Sequence, residues 1–347
     1  MTAGQIDERI PTVQPGIGGG LAVTPEAAAA PPEARRRWTG ASGRLQPFLR
    51  NRKAVAGALI MITFGLVAIL APVISPGDPN DIVAKRHLAP STAHWFGTSG
   101  TGQDVFDQTV WGARKSLGIG FSVGILTTIL SAVVGMTAGY FGGRIDDALS
   151  MLMNLFLIIP TLPLLLVLSA FTASSNTIYF VAVLTLTGWS WGARVLRSQT
   201  LSLREKDFVS AAEVSGEGRF RIIFGEIFPN MTSIVVAGMF GSIIYAIGAV
   251  SALEFLGLGN PSVVSWGTNL YWAGNNGALL IGAWWTVVPS GVSIALVAFA
   301  LALMNYAVDE VTNPRLRAQR LASQALAKAG RGLRKAGRAT PVVRHAN

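Results

Sequence analysis

The sequence contains no cysteine, which removes disulfides, thiolate nucleophiles and cysteine metal sites together. It contains no Gly-Lys dipeptide, hence no Walker-type phosphate loop, and the chain by itself cannot cradle the phosphates of a nucleotide. Histidine is scarce: His87, His94 and His345 are the only three. None lies within a long apolar run, which leaves a membrane-embedded hydrolase without a base. Charge is scarce as well, with 13% of residues charged against 50% hydrophobic. With a mean hydropathy of +0.46, this is the balance of an integral membrane protein. The formal net charge of +10 fits anionic lipid and membrane topology, and nucleic acid is not an expected partner.

What is present is a series of long apolar runs. Residues 54–74 are uncharged for 21 positions, enough to cross about 30 Å of hydrocarbon. Residues 116–141 form a second run, rich in Gly and Ala as close helix packing in lipid requires. Residues 148–193 stay uncharged for 46 positions, too many for one crossing and right for two, with the polar 172–177 stretch as the hairpin tip. Pro160 and Pro163 predict a kink in the first of these two spans. Residues 231–253 and 279–308 complete six spans, and Gly238, Gly241 and Gly248 offer close-approach positions in the fifth. The aromatic group Trp266, Tyr271, Trp272, Trp284 and Trp285 reads as an interfacial belt. Ahead of the spans, residues 1–43 are rich in Pro, Gly and Ala without apolar periodicity and predict a disordered cytoplasmic extension. A cleaved signal peptide is not expected there, because the basic cluster and apolar run come too late.

Between the fourth and fifth spans lies a charged interruption, residues 204–230. Asp207 reads as an N-cap, Phe208, Ala211, Ala212 and Ser215 recur on one small-residue helical face, and Gly216 is the helix-stopping residue. Phe220, Ile223, Phe224 and Ile227 repeat the spacing until Pro229 breaks the run. Ala211, Ala212, Gly216 and Pro229 stand at the spacing of the EAA loop of bacterial ABC-importer permeases, which this stretch resembles. Ser210 occupies the family's Glu position, and Glu213 lies three residues further on. The resemblance implies a coupling helix, carried by Phe208, Ser210, Ala211, Ala212, Glu213 and Gly216, that docks into a groove of a separate ATPase subunit.

Asp78, Pro79, Asn80, His94, Trp95, Gly97, Thr98, Gly102 and Asp104 match two segments of the C-type permease subunit of peptide/nickel importers, as found in oligopeptide and dipeptide systems. Ser99 and Gln103 replace that family's Asp and Arg. Residues 255–259, Pro261 and 265–267 are similar to its Phe-Leu-Gly-Leu-Gly, Pro and Ser-Trp-Gly, and residues 313–317 to its Asp-Pro-Arg-Leu-Arg. His94 by itself reads as a surface or satisfied histidine rather than a ligand. No metal site or catalytic residue is expected. Glu254 is the one carboxylate at the end of an otherwise uncharged span. It sits four residues after the position the family commonly fills with Glu, so that it points either to the pathway or subunit interface, or to headgroups and water.

Together these features predict an all-α integral membrane protein with six transmembrane helices, the type I ABC importer permease fold and a cytoplasmic EAA coupling loop. The expected divisions are an N-terminal extension at 1–43, a first helix with its extracytoplasmic segment at 44–113, a core of five helices at 114–312 and a basic tail at 313–347. Of 28 Lys and Arg residues, 24 fall on the side of the termini and of the 204–230 loop and four on the other, which makes that side cytoplasmic. By resemblance, the partners are a second homologous permease, two ATPase subunits that hold ATP and Mg, and an extracytoplasmic solute-binding protein, in the bilayer of a bacterial inner or plasma membrane. The implied cargo is a peptide, with nickel or another small solute as the alternative. An ion-coupled secondary transporter is the rival class, but it would place ionisable residues within spans, where this sequence has almost none.

Overall fold

In the computed structural model, residues 51–160, 163–164, 166–167 and 177–312 are described, the side chains of 309–312 excepted. The expected 1–43 extension, all but the last residue of the 172–177 tip and the 313–347 tail lie outside them. The described chain is helical: α1 (Arg52–Ile74), α2 (Val105–Phe141), α3 (Gly143–Ile158), α4 (Thr177–Arg204) and α5 (Asp207–Val214) come first. A helical turn at Arg219–Arg221 then runs into a π-helix at Ile222–Ile227, followed by α6 (Phe228–Phe255), α7 (Trp266–Asn275) and α8 (Val288–Thr312). Among the described residues, four helical stretches are long and apolar enough to cross a membrane: α1, α2, Arg219–Phe255 and Val288–Val308.

Local chemistry sets several boundaries that differ from the sequence reading. α2 begins at Val105, well before residue 116, because Asp104 accepts hydrogen bonds from the N–H groups of Phe106, at 2.8 Å, and Asp107 and so caps the orphan amides of a first turn. α3 ends at Ile158, so the described chain stops its helix where a kink is predicted. Ile159 is extended (φ −68, ψ 122), as the ring of a following proline demands. α8 starts at Val288, nine residues later than the apolar run, because Gly282 takes φ +78, a conformation that breaks a right-handed helix. Pro229, by contrast, does not interrupt its helix. The wide π turn before it ends with the N–H of Phe228 on the Ile223 carbonyl, which relieves the clash a proline ring makes in a tight α turn.

α2 is the central element, packed along its length against α4 and α6, while α1 and α8 pair on one flank. Glycines make this possible: a Cβ at Gly124 would overlap Ile243, and one at Gly139 would come within 2.7 Å of the Arg197 carbonyl. One core cluster joins Leu117, Phe240, Ile243, Ile247, Trp266 and Leu301. Trp266 is fully buried, donating from its backbone N–H to Ser116 Oγ at 3.1 Å and from Nε1 to the Thr109 carbonyl at 3.0 Å. It is therefore a core residue and not part of an interfacial belt, whereas Trp284 remains 55% exposed.

Candidate functional site

The loop after α4 folds onto the α2 end of the bundle. Val209, Ile222, Ile223 and Ile227 are buried with Met136, Tyr140, Leu196 and Met231, and Phe208 and Ala212 pack against them. This seating rotates the predicted face of α5. Phe208 and Ala212 turn inward, while Ser210, Ala211, Glu213, Val214 and Ser215 are exposed, Val214 at 90%. Lys206, not Asp207, takes the N-cap position, and Asp207 is the first helical residue, where its charge still favours the helix N-terminus. At the other end Gly216 is at φ +78. Its N–H donates to the Glu213 carbonyl at 3.0 Å and that of Glu217 to the Ala212 carbonyl at 3.1 Å, the Schellman pattern that closes a helix with its last carbonyls satisfied. Beyond it the π-helix shifts the register of side chains. Ile223 and Ile227 point inward as predicted, but Phe224 turns out, 54% exposed, because each residue of a π turn advances by a smaller angle than in an α turn; Phe220, in the turn before it, is 74% exposed as well.

Two contacts tie this loop to α2. The Tyr140 hydroxyl donates to Glu213 Oε1 at 3.2 Å, and the Arg219 guanidinium lies 5.7 Å from the Phe141 ring centroid. Nearby, Arg197 of α4 grips Asp146 of α3 through Nε to Oδ1 and through Nη2 to Oδ2 at 2.6 Å. These hydrogen bonds hold the Asp146 carboxyl below its usual range by favouring the charged form. No spacing rule pairs Tyr140 with Glu213 or Asp146 with Arg197, since each pair closes only when separate helices meet. The uncharged Tyr at a span end and the lone Asp-Asp pair in a short turn were the only sequence signals available.

Glu254 sits in the last turn of α6 and is 4% exposed. It therefore does not face headgroups and water, nor an open surface. Ser265 Oγ donates to its Oε2 at 2.5 Å, and Ser265 is also the N-cap of α7, in a capping box with Thr268. Lys115 of α2 interacts with it electrostatically. The backbone of Gly267 packs so closely that a Cβ there would lie 2.5 Å from Glu254 Oε2.

At the same end, the segment ahead of α2 is clasped by the motif residues. His94 Nδ1 is 2.7 Å from Asp104 Oδ2, so His94 is a satisfied histidine. Thr98 Oγ1 donates to the Lys85 carbonyl at 2.6 Å and accepts from the Leu88 N–H at 2.8 Å. Ser99 and Gln103, which replace a charged pair, form a neutral cluster in which Gln103 Oε1 accepts from Thr101 Oγ1 at 2.6 Å and Gln108 Nε2 at 2.7 Å.

A cavity of about 590 Å³ opens between α2, α3, α4 and α6. Its described lining mixes hydroxyls and small residues with large apolar side chains such as Phe156, Trp191 and Ile234, adds Asn305 of α8, and carries no carboxylate or basic side chain. The hydroxyls of Thr128, Ser131 and Thr187 donate to carbonyls of the helices, at 2.7, 2.7 and 2.9 Å, which leaves each oxygen with acceptor capacity only. Gly238 and Gly241 of α6 line the same space with nothing within 4 Å of where a Cβ would stand.

Residues 131–317 match the model of a family described as binding-protein-dependent transport system inner membrane component, and residues 44–90 match the N-terminal transmembrane domain of oligopeptide transport permease C. The chain is 32% identical to a dipeptide transport system permease protein of Bacillus subtilis over 272 residues, 77% of this chain and 83% of the relative. It is 32% identical to the corresponding protein of Alkalihalophilus pseudofirmus over 301 residues, 85% and 97% of the two chains. An oligopeptide transport system permease protein of Mycobacterium tuberculosis is 38% identical over 225 residues, 64% of this chain and 77% of the relative.

Proposed function

This chain belongs to the family of binding-protein-dependent transport system inner membrane components, and from that premise we propose that it is the C-type permease subunit of an ATP-driven peptide importer. It is a transport subunit and not itself an enzyme. Six spans make up the fold in this reading: the four long apolar helices, with α3 and α4 supplying the remaining two. A second, homologous permease completes the pathway, two ATPase subunits bind ATP and Mg on the cytoplasmic side, and a solute-binding protein delivers peptide from outside. The hydroxyl-lined cavity between α2, α3, α4 and α6 belongs to the pathway. Neutral acceptors on its wall suit passing peptide amides without the tight grip that a buried charge would impose.

The observation that carries the coupling reading is the outward face of α5. Ser210, Ala211, Val214 and Ser215 form a small, exposed surface on a helix that its own chain holds firmly at the other face. Phe220 and Phe224 stand exposed beside it. Exposed apolar residues of this kind on a rigid helix fit a partner's groove. Ala211→Arg and Val214→Arg place an unpaired charge in that groove, a change that costs several kcal/mol. Both variants are expected to remain in the membrane while ATPase subunits no longer co-purify and peptide uptake is lost. Full uptake by both would reject the assignment.

A further inference from the structure

Glu213 is placed to do something other than meet the ATPase. It lies one turn after the buried Val209; the residue is exposed, but its carboxylate reaches back to the bundle, where Oε1 accepts from the Tyr140 hydroxyl at 3.2 Å. Tyr140 is 6% exposed, so packing of the ring in the cluster around Ile223 and Met231 fixes where that hydroxyl points. Cations gather around the junction. Arg219 sits over the Phe141 ring at 5.7 Å, and both Arg219 and Arg204 interact electrostatically with the Tyr140 hydroxyl. A carboxylate brought to the C-terminal end of α2 would otherwise be opposed by the negative end of the helix dipole. Here a hydroxyl donor and two guanidinium groups offset that repulsion.

We infer that the Tyr140–Glu213 hydrogen bond is the latch through which displacement of α5 is passed to α2, and that Glu213 is a positioning residue rather than a stand-in for the family Glu whose position Ser210 occupies. The inference rests on the reading of α5 as the coupling helix. α2 is the element best placed to receive the movement. Its 37 residues span about 55 Å, from this junction to Asp104, which holds the His94 segment at the far end. The contact joins residues 73 positions apart in sequence, so that α5 is bound to α2 directly as well as through the intervening chain.

The test uses the complete importer, reconstituted in vesicles with its partner permease, ATPase subunits and binding protein, and reads peptide uptake per ATP hydrolysed. Tyr140→Phe and Glu213→Ala each remove the hydrogen bond and are expected to lower that ratio about three- to tenfold. The double variant is expected to be no worse than either single one, since both delete the same interaction. Glu213→Gln keeps an acceptor oxygen and is expected to retain the parent's ratio, which a general loss of packing would not produce. Loss in Glu213→Gln with a normal Tyr140→Phe would overturn the latch and make Glu213 a partner contact. An unchanged ratio in both Tyr140→Phe and Glu213→Ala would also overturn it. Normal uptake by Ala211→Arg, on the opposite face, would instead remove the coupling-helix reading on which the latch depends.

Discussion

A carboxylate with only 4% of its surface exposed needs a donor, and Glu254 has one in Ser265 at 2.5 Å. Its place at the end of a span was legible, because an acid after 27 uncharged residues stands out. Its burial was not, because the donor arrives only when the chain turns back 11 residues later. Glu254→Gln keeps an oxygen for Ser265 and should leave the thermal midpoint of the detergent-solubilised subunit close to that of the parent. Glu254→Ala leaves the hydroxyl without that acceptor and opens a gap, so a loss of about 1–3 kcal/mol is expected, read as a lower midpoint. Gly216 was readable because its role is local: a helix that must stop requires a left-handed residue. At φ +78 a β-branched side chain is strained by about 1–2 kcal/mol, whereas Asn tolerates the region. Uptake should therefore fall in Gly216→Val and persist in Gly216→Asn. If Asn were as harmful as Val, bulk at the docking surface and not backbone strain would be the cause.

Among the elements, the apolar periodicity located α5 and the helix after it but misjudged which way they face. Four residues at α spacing were assigned to one side, but the π-helix Ile222–Ile227 sends Phe224 outward while Ile223 and Ile227 stay in, and Phe220 just before it is exposed too. A π turn has no composition signal of its own, so nothing short of the packed structure reveals it. The consequence is a contrast between neighbours. Ile223→Ala should cost about 2–4 kcal/mol of stability through the cavity it leaves, while Phe224→Ala should change stability by less than about 0.5 kcal/mol yet weaken co-purification of the ATPase subunits. The α3–α4 junction makes a prediction in pH. Asp146 is held below its usual range by Arg197, so its contribution is fully present above the unfolded carboxyl value near ~4 and is lost as pH falls through the lower folded value. Thermal midpoints of the parent and Asp146→Asn should thus differ at neutral pH and converge only below about pH 4. A constant difference across an acid titration would show that the ion pair is not its source.

At the scale of the whole molecule, long uncharged runs announced a helical membrane protein, and the distribution of basic residues predicts an orientation for it. Reporters fused after Asn347 and within residues 204–221 should both report cytoplasm, and one near Pro90 the outside, because a six-span topology puts 24 of the 28 basic residues on one side. Opposite-side signals from the first two would exclude six spans. What could not be read was how the runs assemble. α2 reaches its central position because Gly124 and Gly139 let Ile243 and the α4 backbone approach to contact, and small residues recur in every span of this sequence without saying which partner each will meet. The continuity of α2 from Val105 to Phe141 has a thermodynamic consequence. An unbroken element that feels events at both of its ends cannot transmit in one direction only. If nucleotide binding inside changes the affinity of the outer face for a loaded binding protein by some factor, then docking of that protein must change nucleotide affinity by the same factor. Nucleotide affinity measured on the isolated membrane complex should accordingly shift when the binding protein is added, with no peptide moved at all.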